Sequence, residues 1–235
     1  MRTSPSVARL DWRQIECSLE TCGHATLPGL VSAPEAALLA AYYSQDARFR
    51  STVVMARHGF GCGEYRYFDY PLPRLVQALR AQLYARLAPI ADRWCEALGS
   101  RVRYPAAHPS YLARCRERGQ SRATPLLLRY RAGDYNRLHQ DLYGEEAFPF
   151  QVTVLLSEPE RQFTGGEFLL TEQRPRMQTR AEVVPLKLGE AVVFAVRHRP
   201  ARGARGIYRI NVRHGVSRVR SGERLTMGII FHDAA

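Results

Sequence analysis

The sequence contains no long run of apolar residues. No segment approaches the roughly 20 consecutive apolar residues that a membrane-spanning helix requires, although 46% of the 235 residues are hydrophobic. The N-terminal stretch MRTSPSVARLDWRQIE also lacks the apolar segment of a secretory signal peptide. We therefore expect the apolar residues to form the core of one ordinary globular domain, with no membrane association.

Paired cysteines are also lacking. The five cysteines are odd in number and include no Cys-x-x-Cys pair. This pattern argues against a disulfide framework and against a structural zinc module. The simplest location for such a protein is the reducing cytoplasm.

Lysine is almost absent. Lys187 is the only lysine, so nearly all of the positive charge behind the formal net charge of +12 comes from arginine. Such a skew has two interpretations. It results from a GC-rich genome, which would leave a surface covered with arginine for no functional reason. Alternatively, the arginines form a basic surface that attracts a phosphate backbone.

The chain changes character near residue 123. Helical patterns precede this point, whereas short β-type segments separated by turn residues follow it. Strands without intervening helices predict an antiparallel sandwich or jelly roll. We expect an α+β fold with a double-stranded β-helix (jelly-roll) core in residues 124–235. Residues 1–123 would supply helices packed on one sheet and a lid, within a single structural unit.

The first part of the chain shows one helix start. Residues 1–31 are expected to be irregular, with one short helix at most. Ser32 precedes the sequence Ala-Pro-Glu, which predicts a helix that Ser32 caps and that ends near Tyr43.

A longer helix is expected after Pro73. Apolar residues recur at steps of three and four up to Leu98, which predicts one buried stripe with a structural role. Pro89 falls inside this pattern and is expected to kink or split the helix. A shorter helix is predicted over His108–Arg118, with His108 as a capping or surface residue.

The segment Ser51–Tyr70 combines glycines, aromatic residues and arginines, and predicts two short strands around a glycine-rich turn. Interleaved rings and positive charges are typical of surfaces that stack bases and hold phosphates. The alternative is an aromatic lid on the mouth of the barrel. Both interpretations place the segment near the substrate, and its candidate contact residues are Arg57, Tyr65, Arg66 and Tyr67.

Short strands are predicted throughout the remainder. Their expected ranges are Leu126–Tyr130, Phe150–Ser157, Glu167–Glu172, Glu182–Leu186, Ala191–Val196, Tyr208–Val219 and Arg224–His232. Two facing sheets of this kind leave a mouth at one end, where inward-pointing side chains can hold a metal.

A His-x-Asp pair provides the first candidate ligands. His139 and Asp141 are two residues apart, so their side chains share a face of an extended strand. Two imidazoles and one carboxylate form the facial triad of non-haem Fe(II) sites, although Mn, Co or Ni fits the same ligands. His214 is the expected third ligand.

An arginine follows the third ligand at a distance of ten residues. Ser221-Gly222 is expected to form the turn of a hairpin that brings Arg224 back to face His214. The planar guanidinium of arginine binds a carboxylate with two hydrogen bonds. Thr226 shares a face with Arg224 and would add a hydroxyl contact to the same carboxylate.

These motifs resemble the 2-oxoglutarate/Fe(II)-dependent dioxygenase superfamily, in which His-x-Asp, a distant His and a later Arg occur in this order. The prolyl-hydroxylase-like branch shows a similar run before His-x-Asp, represented here by Leu128, Tyr130, Gly133 and Tyr135. Nearly the whole chain is similar to a mostly bacterial oxygenase family described as acting on damaged nucleic acid. The blocks that carry this similarity include GDYNRLHQDLYGE, FTGGEFLLTEQRPRMQ and RHGVSRVRSGERLTMGIIFHD.

The resemblance implies Fe(II), 2-oxoglutarate and O2 as cofactors and co-substrates. It assigns the metal to His139, Asp141 and His214, and the distal carboxylate of 2-oxoglutarate to Arg224. Tyr130 occupies the tyrosine position of the family and is expected either to bond the co-substrate or to be a core ring. The implied reaction hydroxylates a substrate C–H bond with release of succinate and CO2.

The substrate has two candidate classes. One is a modified DNA or RNA base, whose hydroxylated N-methyl group would leave as formaldehyde. The other is a prolyl, amino-acid or small-molecule C–H bond. A third hypothesis is a jelly-roll binding module without catalysis, but the complete set of ligands argues against it. A metal-binding isomerase of the cupin type is a further alternative, but it would leave Arg224 without a purpose.

Other polar residues are candidate partners of the site. His198 competes as third ligand, but the residue ten positions later is Tyr208, which cannot bind a carboxylate as arginine does. His232-Asp233 is expected at the surface or behind a ligand histidine. Asn136 is a further candidate for the co-substrate or substrate, and Arg218, like Arg220, for an anionic substrate.

Overall fold

The computed structural model describes residues 6–141, 144–204 and 206–235. The described strands are β1 (His24–Leu27), β2 (Phe49–Val54), β3 (Gly61–Cys62), β4 (Glu64–Phe68), β5 (Leu126–Arg131), β6 (Tyr135–His139), β7 (Phe150–Leu155), β8 (Phe163–Gly165), β9 (Phe168–Gln173), β10 (Arg180–Val184), β11 (Ala191–Ala195), β12 (His198–Gly203), β13 (Gly206–Val216) and β14 (Val219–Ile230). Pairing between neighbouring strands is antiparallel throughout the named set.

The strands form two sheets. The larger sheet has the order β1-β11-β7-β14-β5-β4-β2, with β8 attached to β14. The smaller sheet has the order β10-β9-β13-β6-β3, with β12 attached to β13. The two sheets face each other, since Phe194 of the larger sheet lies 4.7 Å from the ring of His214 in the smaller. This arrangement confirms the predicted α+β jelly-roll fold.

The helices are α1 (Ser6–Arg9), α2 (Trp12–Cys22), α3 (Ala33–Ala41), α4 (Arg74–Ala97) and α5 (His108–Glu117). Short 3-10 turns cover Tyr42–Ser44, Asp46–Arg48 and Met55–His58. The predicted cap of α3 is confirmed, because the Ser32 hydroxyl and the Glu35 carboxylate form a reciprocal capping box. No helix in the described ranges is long and apolar enough to cross a membrane.

Helix α4 packs on the larger sheet through the predicted stripe. Leu79, Leu83 and Leu87 are fully buried, and the Trp94 ring lies 4.5 Å from Phe150 of β7. The helix continues through Pro89 instead of splitting there. Burial of one continuous apolar face outweighs the backbone hydrogen bond that a proline removes.

Two expectations for the N-terminal part were incomplete. The lead-in, expected to be irregular with at most one short helix, contains the four-residue helix α1 and the eleven-residue helix α2. β1 then extends the larger sheet by pairing with β11. In Ser51–Tyr70, the predicted pair of strands exists as β2 and β4, but β4 also pairs with β5. The segment therefore contributes β2 and β4 to the larger sheet and β3 to the smaller one. Strands from before and after residue 123 share both sheets.

The predicted hairpin between His214 and Arg224 is wrong. Ser221 and Gly222 lie within β14, and only Ser217 and Arg218 separate β13 from β14. These two strands belong to different sheets, so His214 and Arg224 approach each other from opposite sides of the cavity. Gly222 has φ +74 beside a register shift with β8, and a Cβ there would lie 2.0 Å from the carbonyl of Gln162. The glycine therefore lies beside a β-bulge within the strand and not in a hairpin turn.

Two histidines and an aspartate for which surface positions were among the expectations are buried. His108 was expected as a cap or at the surface, and His232-Asp233 at the surface or behind a ligand histidine. His108 begins α5 and its Nε2 lies 2.8 Å from the carbonyl oxygen of Phe231. His232 and Asp233 are almost fully buried, and His232 Nδ1 accepts a hydrogen bond from the backbone of Phe148. The chain end after β14 is therefore packed inside the molecule, against α4 and α5.

A buried arginine holds this chain end. Arg80 of α4 is 1% exposed and donates to the carbonyls of Ile230 (2.8 Å) and His232 (3.1 Å). Its guanidinium also forms an ion pair of 2.8 Å with Asp233, which is equally buried. Removal of one partner of such a pair leaves an uncompensated charge in the interior.

We expect Arg80→Met to lower the free energy of unfolding by about 3–5 kcal/mol, because it leaves the Asp233 carboxylate buried without its cation. Urea unfolding of the purified chain measures this loss. Arg86→Met is the matched control, since Arg86 is an exposed arginine of the same helix whose guanidinium lies over the Trp12 ring at 5.8 Å. The control should cost less than about 1 kcal/mol. Equal losses in both variants would refute the anchoring role of Arg80.

Candidate metal and carboxylate site

Adjacent strands of the smaller sheet bring the predicted ligands together. His139 on β6 and His214 on β13 are direct partners across the sheet, and their ring centroids lie 4.2 Å apart. His139 is the last residue of β6, and Asp141 lies just beyond the end of the strand. Asp141 Oδ1 lies 3.5 Å from His139 Nε2, and Oδ2 lies 3.4 Å from His214 Nε2.

The three side chains form a compact donor set. One ligand atom from each residue lies within 4.8 Å of the others, and this is the group among the described residues whose geometry permits a bound metal. His139 Nδ1 lies 2.7 Å from the carbonyl of Arg137, so the ring donates there and directs Nε2 toward Asp141. Two nitrogens and one oxygen in this arrangement fit a non-haem iron site.

Burial and hydrogen bonding set the charges of this group. Burial alone would raise the pKa of Asp141, but hydrogen bonds from His139 and His214 hold it well below its usual range. Burial lowers the pKa of His214, which favours a neutral imidazole. For His139, the contact with Asp141 outweighs burial and raises the pKa. An ionised carboxylate beside an imidazole that favours its neutral form is a suitable environment for a divalent cation.

Arg224 approaches from the larger sheet. It is 2% exposed, and its guanidinium carbon lies 5.6 Å from the Tyr130 ring and 6.0 Å from the Phe163 ring. A Cβ at Gly166 would lie 2.8 Å from Arg224 Cδ, so the glycine provides the space for this side chain. Burial lowers the pKa of Arg224 to about 10, which leaves it charged at neutral pH.

The Arg224 guanidinium is incompletely paired. Its Nη1 is buried and has no hydrogen-bond partner in the part of the chain that the structure describes. A buried N–H donor without a partner is costly, and a ligand carboxylate would remove this cost. The residues present therefore fit an organic acid at this position.

One cavity of about 380 Å³ joins the donor set and the arginine. Its lining includes all four of these residues together with Tyr130 and Thr226, the two predicted partners of the co-substrate. Thr226 is 1% exposed and lies two residues from Arg224 on the same side of β14. The volume is within the range of small-molecule sites.

The predicted substrate residues divide into two groups. Tyr65, Tyr67 and Asn136 line the cavity, and Asn136 Nδ2 lies 3.4 Å from the Tyr130 hydroxyl. Asn136 lies on β6 and not in a loop. Arg57 is exposed outside the cavity, on the turn Met55–His58. The substrate role of the first three stays a prediction.

Two predicted arginines have partners elsewhere. Arg66 points away from the cavity and forms ion pairs with Asp46 (2.6 Å) and Glu64 (3.4 Å). Its neighbours Tyr65 and Tyr67 face inward because side chains alternate along a strand. Arg218 is exposed and donates to the carbonyl of Gly133 at 2.9 Å. Neither arginine lines the cavity.

The remaining alternative ligand is not part of the donor set. His198 lies on β12, where it pairs with Asn211. Burial, with further contributions from Arg197 and Arg209, lowers its pKa to about 4. It is absent from the metal group found in the described residues.

Several lining residues were not anticipated. Gln151 and Thr153 of β7 face the cavity, and Phe60 and Leu138 lie at its mouth. Gln151 and Thr153 are two apart within the strand FQVTVL, so polar residues at alternate positions were the available signal. The sequence alone does not show which face of a fully buried strand meets a cavity.

Comparisons with known proteins agree with this geometry. The profile of the family Oxygenase-NA, described as "Oxygenase, catalysing oxidative methylation of damaged DNA", matches residues 63–234. Two uncharacterized Mycobacterium tuberculosis proteins, MT2286 from strain CDC 1551 and Rv2227 from strain H37Rv, are each 51% identical over 168 residues, which cover 72% of this chain and 72% of the relative.

Solved structures with the same fold are distant in sequence. A Pseudomonas putida prolyl-4-hydroxylase is 17% identical with a TM-score of 0.54, and covers 95% of this chain and 99% of its own. A 2OG-Fe(II) oxygenase family oxidoreductase from Burkholderia pseudomallei is 21% identical with a TM-score of 0.54, over 97% and 94% of the two chains. The epimerase SnoN, solved with Fe3+, alpha ketoglutarate and nogalamycin RO, is 14% identical with a TM-score of 0.54, over 93% and 82%.

These solved structures support the fold, while the profile and the two relatives support the family. The chain therefore belongs to the Oxygenase-NA family of oxygenases and has the jelly-roll fold of the 2-oxoglutarate/Fe(II) oxygenases.

Proposed function

We propose that the chain is an Fe(II)- and 2-oxoglutarate-dependent dioxygenase that hydroxylates a substrate C–H bond. The observation that carries this proposal is the unpaired, buried Nη1 of Arg224 in the same cavity as the His139–Asp141–His214 donor set. A metal site alone would suit many activities. The free donor on an additional buried cation suits an anionic partner, which a dicarboxylic co-substrate provides.

The side chains have separate tasks in this proposal. His139, Asp141 and His214 hold the metal on one face, and Arg224 orients the far carboxylate of 2-oxoglutarate with help from the hydroxyls of Tyr130 and Thr226. When bound, Fe(II) with 2-oxoglutarate and O2 supplies the oxidising power, with succinate and CO2 as products. The apolar rings around Arg224 exclude water from this end of the cavity.

We expect 2-oxoglutarate turnover to succinate to be lost in both His139→Ala and Arg224→Met, for different reasons. His139→Ala removes a metal ligand and should abolish high-affinity Mn(II) binding, measured by calorimetry without O2. Arg224→Met should keep Mn(II) binding and weaken 2-oxoglutarate binding by roughly 10- to 100-fold, because it removes a charge-assisted hydrogen bond.

Arg220→Met is the matched control for this pair, since Arg220 is an exposed arginine of the same strand. It should bind metal and co-substrate as the wild type does. A wild-type chain that binds neither Mn(II) nor 2-oxoglutarate would refute the proposal.

We further propose that the substrate is a modified nucleic-acid base. The carbon that is hydroxylated would be that of an N-methyl group on the base. Hydroxylation would give a hydroxymethyl group, which leaves as formaldehyde while the base nitrogen regains a proton. The family description supports damaged DNA as the target. The formal net charge of +12 supports a polyanionic partner.

The mouth of the cavity has features that suit a base. Phe60 is 48% exposed there and stacks on the His58 ring at 5.3 Å and 22°. Its carbonyl accepts a hydrogen bond of 2.9 Å from the backbone of Arg137 on β6, so the ring is attached to the strand that carries His139. Arg137 is exposed, lines the same mouth and forms no ion pair within the described ranges. An exposed ring beside a free cation can stack a base and contact its phosphate.

We expect Phe60→Ala to weaken the binding of a fluorescent single-stranded oligonucleotide by about 5- to 100-fold. This is the loss of affinity that corresponds to one base no longer stacked on an aromatic ring. Fluorescence anisotropy with Mn(II) and 2-oxoglutarate, without O2, measures binding in the absence of turnover. Wild-type affinity should also fall steeply with added salt.

Ile207→Ala is the control, because Ile207 is also 48% exposed but does not line the cavity. Salt-independent binding, or an equal loss in both variants, would contradict a nucleic-acid surface at the mouth.

The alternative substrate is a prolyl, amino-acid or small-molecule C–H bond. Leu138, which is 45% exposed at the mouth, supports this alternative because an apolar group there also suits a peptide side chain. Hydroxylation of a proline-rich peptide without oligonucleotide binding would favour it.

A cytoplasmic location is also proposed. All five cysteines are free, and Cys17 and Cys22 are exposed. Exposed thiols are best preserved in a reducing compartment. Fractionation of the native host would test this assignment.

A further inference from the structure

We infer that the cavity has a second polar subsite at Gln151, which reads a hydrogen-bond donor on the substrate ring. This inference rests on the proposed function and specifies the substrate for the same cavity. It makes Gln151 a specificity-determining residue, separate from the side chains that hold the metal and the co-substrate.

Gln151 lies at the opposite end of the cavity from Arg224. It pairs across the larger sheet with Ile230 of β14 and with Phe194 of β11. On β14, Arg224, Thr226, Gly228 and Ile230 all line the cavity, as expected for alternate residues of one strand. Six residues of extended chain place Ile230 roughly 20 Å from Arg224 along the strand. A co-substrate bound to Arg224 would therefore leave the Gln151 end for another molecule.

The Gln151 amide is an incompletely satisfied group. The residue is 5% exposed, and its Oε1 is buried without a hydrogen-bond partner in the described ranges. A buried acceptor without a donor costs free energy, so such groups in native proteins require an explanation. Its cross-strand neighbours Phe194 and Ile230 have no donor to offer. A ligand N–H group in the cavity would satisfy it.

The walls near Gln151 suit a flat ring. Tyr67, Leu126 and Ile230 form one apolar cluster, on which Tyr65 packs. The rings of Tyr65 and Tyr67 meet edge to face at 5.4 Å and 86°. All four side chains line the cavity. Apolar and aromatic walls with one buried amide match the way in which enzymes bind an extruded base.

The subsite is close to the reacting centre. Phe194, the cross-strand neighbour of Gln151, has its ring 4.7 Å from the ring of His214. A ring held by Gln151 would therefore lie beside the metal ligands and not at the distant mouth. This position allows one hydrogen bond to determine which base presents its methyl group to the metal.

The acceptor oxygen predicts a preference among bases. In the orientation that the structure shows, the Gln151 amide has its Oε1 without a partner, and this oxygen accepts from an exocyclic amino group but cannot accept from a carbonyl. 3-Methylcytosine and 3-methylthymine carry the methyl group at the same ring position, but cytosine has an amino group at C4 and thymine has a carbonyl. We expect the chain to prefer the first of these two bases.

The test compares the two bases in otherwise identical single-stranded oligonucleotides. Wild-type kcat/KM for formaldehyde release should favour 3-methylcytosine, and Gln151→Met should reduce this preference by about 10- to 100-fold, because it removes the acceptor at nearly unchanged volume. Gln77→Met, at an exposed position of α4, is the matched control and should keep the preference. Gln151→Leu provides a second variant if Gln151→Met does not fold.

Binding measurements separate this inference from the proposed function. Anisotropy with Mn(II) and without O2 should show the same loss of preference, while calorimetry should show unchanged 2-oxoglutarate affinity in Gln151→Met. Weakened 2-oxoglutarate binding in that variant would assign Gln151 to the co-substrate and overturn the inference, as would a preference retained in both Gln151 variants. A wild-type chain that does not bind 2-oxoglutarate would overturn the proposed function itself.

Discussion

The larger sheet depends on how the end of β14 is held. The guanidinium of Arg80 binds the carbonyl of Ile230 at 2.8 Å, and Asp233 neutralises its charge in the interior. β14 lies between β5 and β7 and must keep its register with both. A shift of one residue would turn every side chain of the strand to the other face, including Arg224. The anchor at one end of the strand therefore fixes the cavity arginine near the other end.

Arg80 and Arg224 are about equally buried, at 1% and 2% exposure, but their surroundings differ. Arg80 reaches backbone carbonyls, hydroxyls and a carboxylate, so its donors are used within the fold. Arg224 lies against two rings, and its Nη1 has no partner in the described part of the chain. Because a buried donor without a partner brings no structural benefit, the free Nη1 is better explained by a ligand.

Local spacing is readable from the sequence, whereas the pairing of distant strands is not. The His139-x-Asp141 pair and the step from His214 to Arg224 identify four side chains that one cavity brings together. The hairpin prediction failed because apolar periodicity does not distinguish a paired strand from one that crosses to the facing sheet. β1 has only four residues and no distinctive pattern. Gln151 becomes informative only when burial shows that its amide lacks a partner.

Because side chains alternate along β4, its arginine and its tyrosines lie on opposite faces of the sheet. Arg66 faces outward to Asp46 and Glu64, whereas Tyr65 and Tyr67 face the cavity. Among the described residues, the arginines that line the cavity are Arg137 at its mouth and Arg224 at its buried end. Most of the positive charge therefore acts outside the cavity, where it can attract a polyanion without sequence preference. Under the proposed function Arg224, the one cation at the buried end, binds the co-substrate. Selection within the cavity would then come from ring shape and hydrogen bonding.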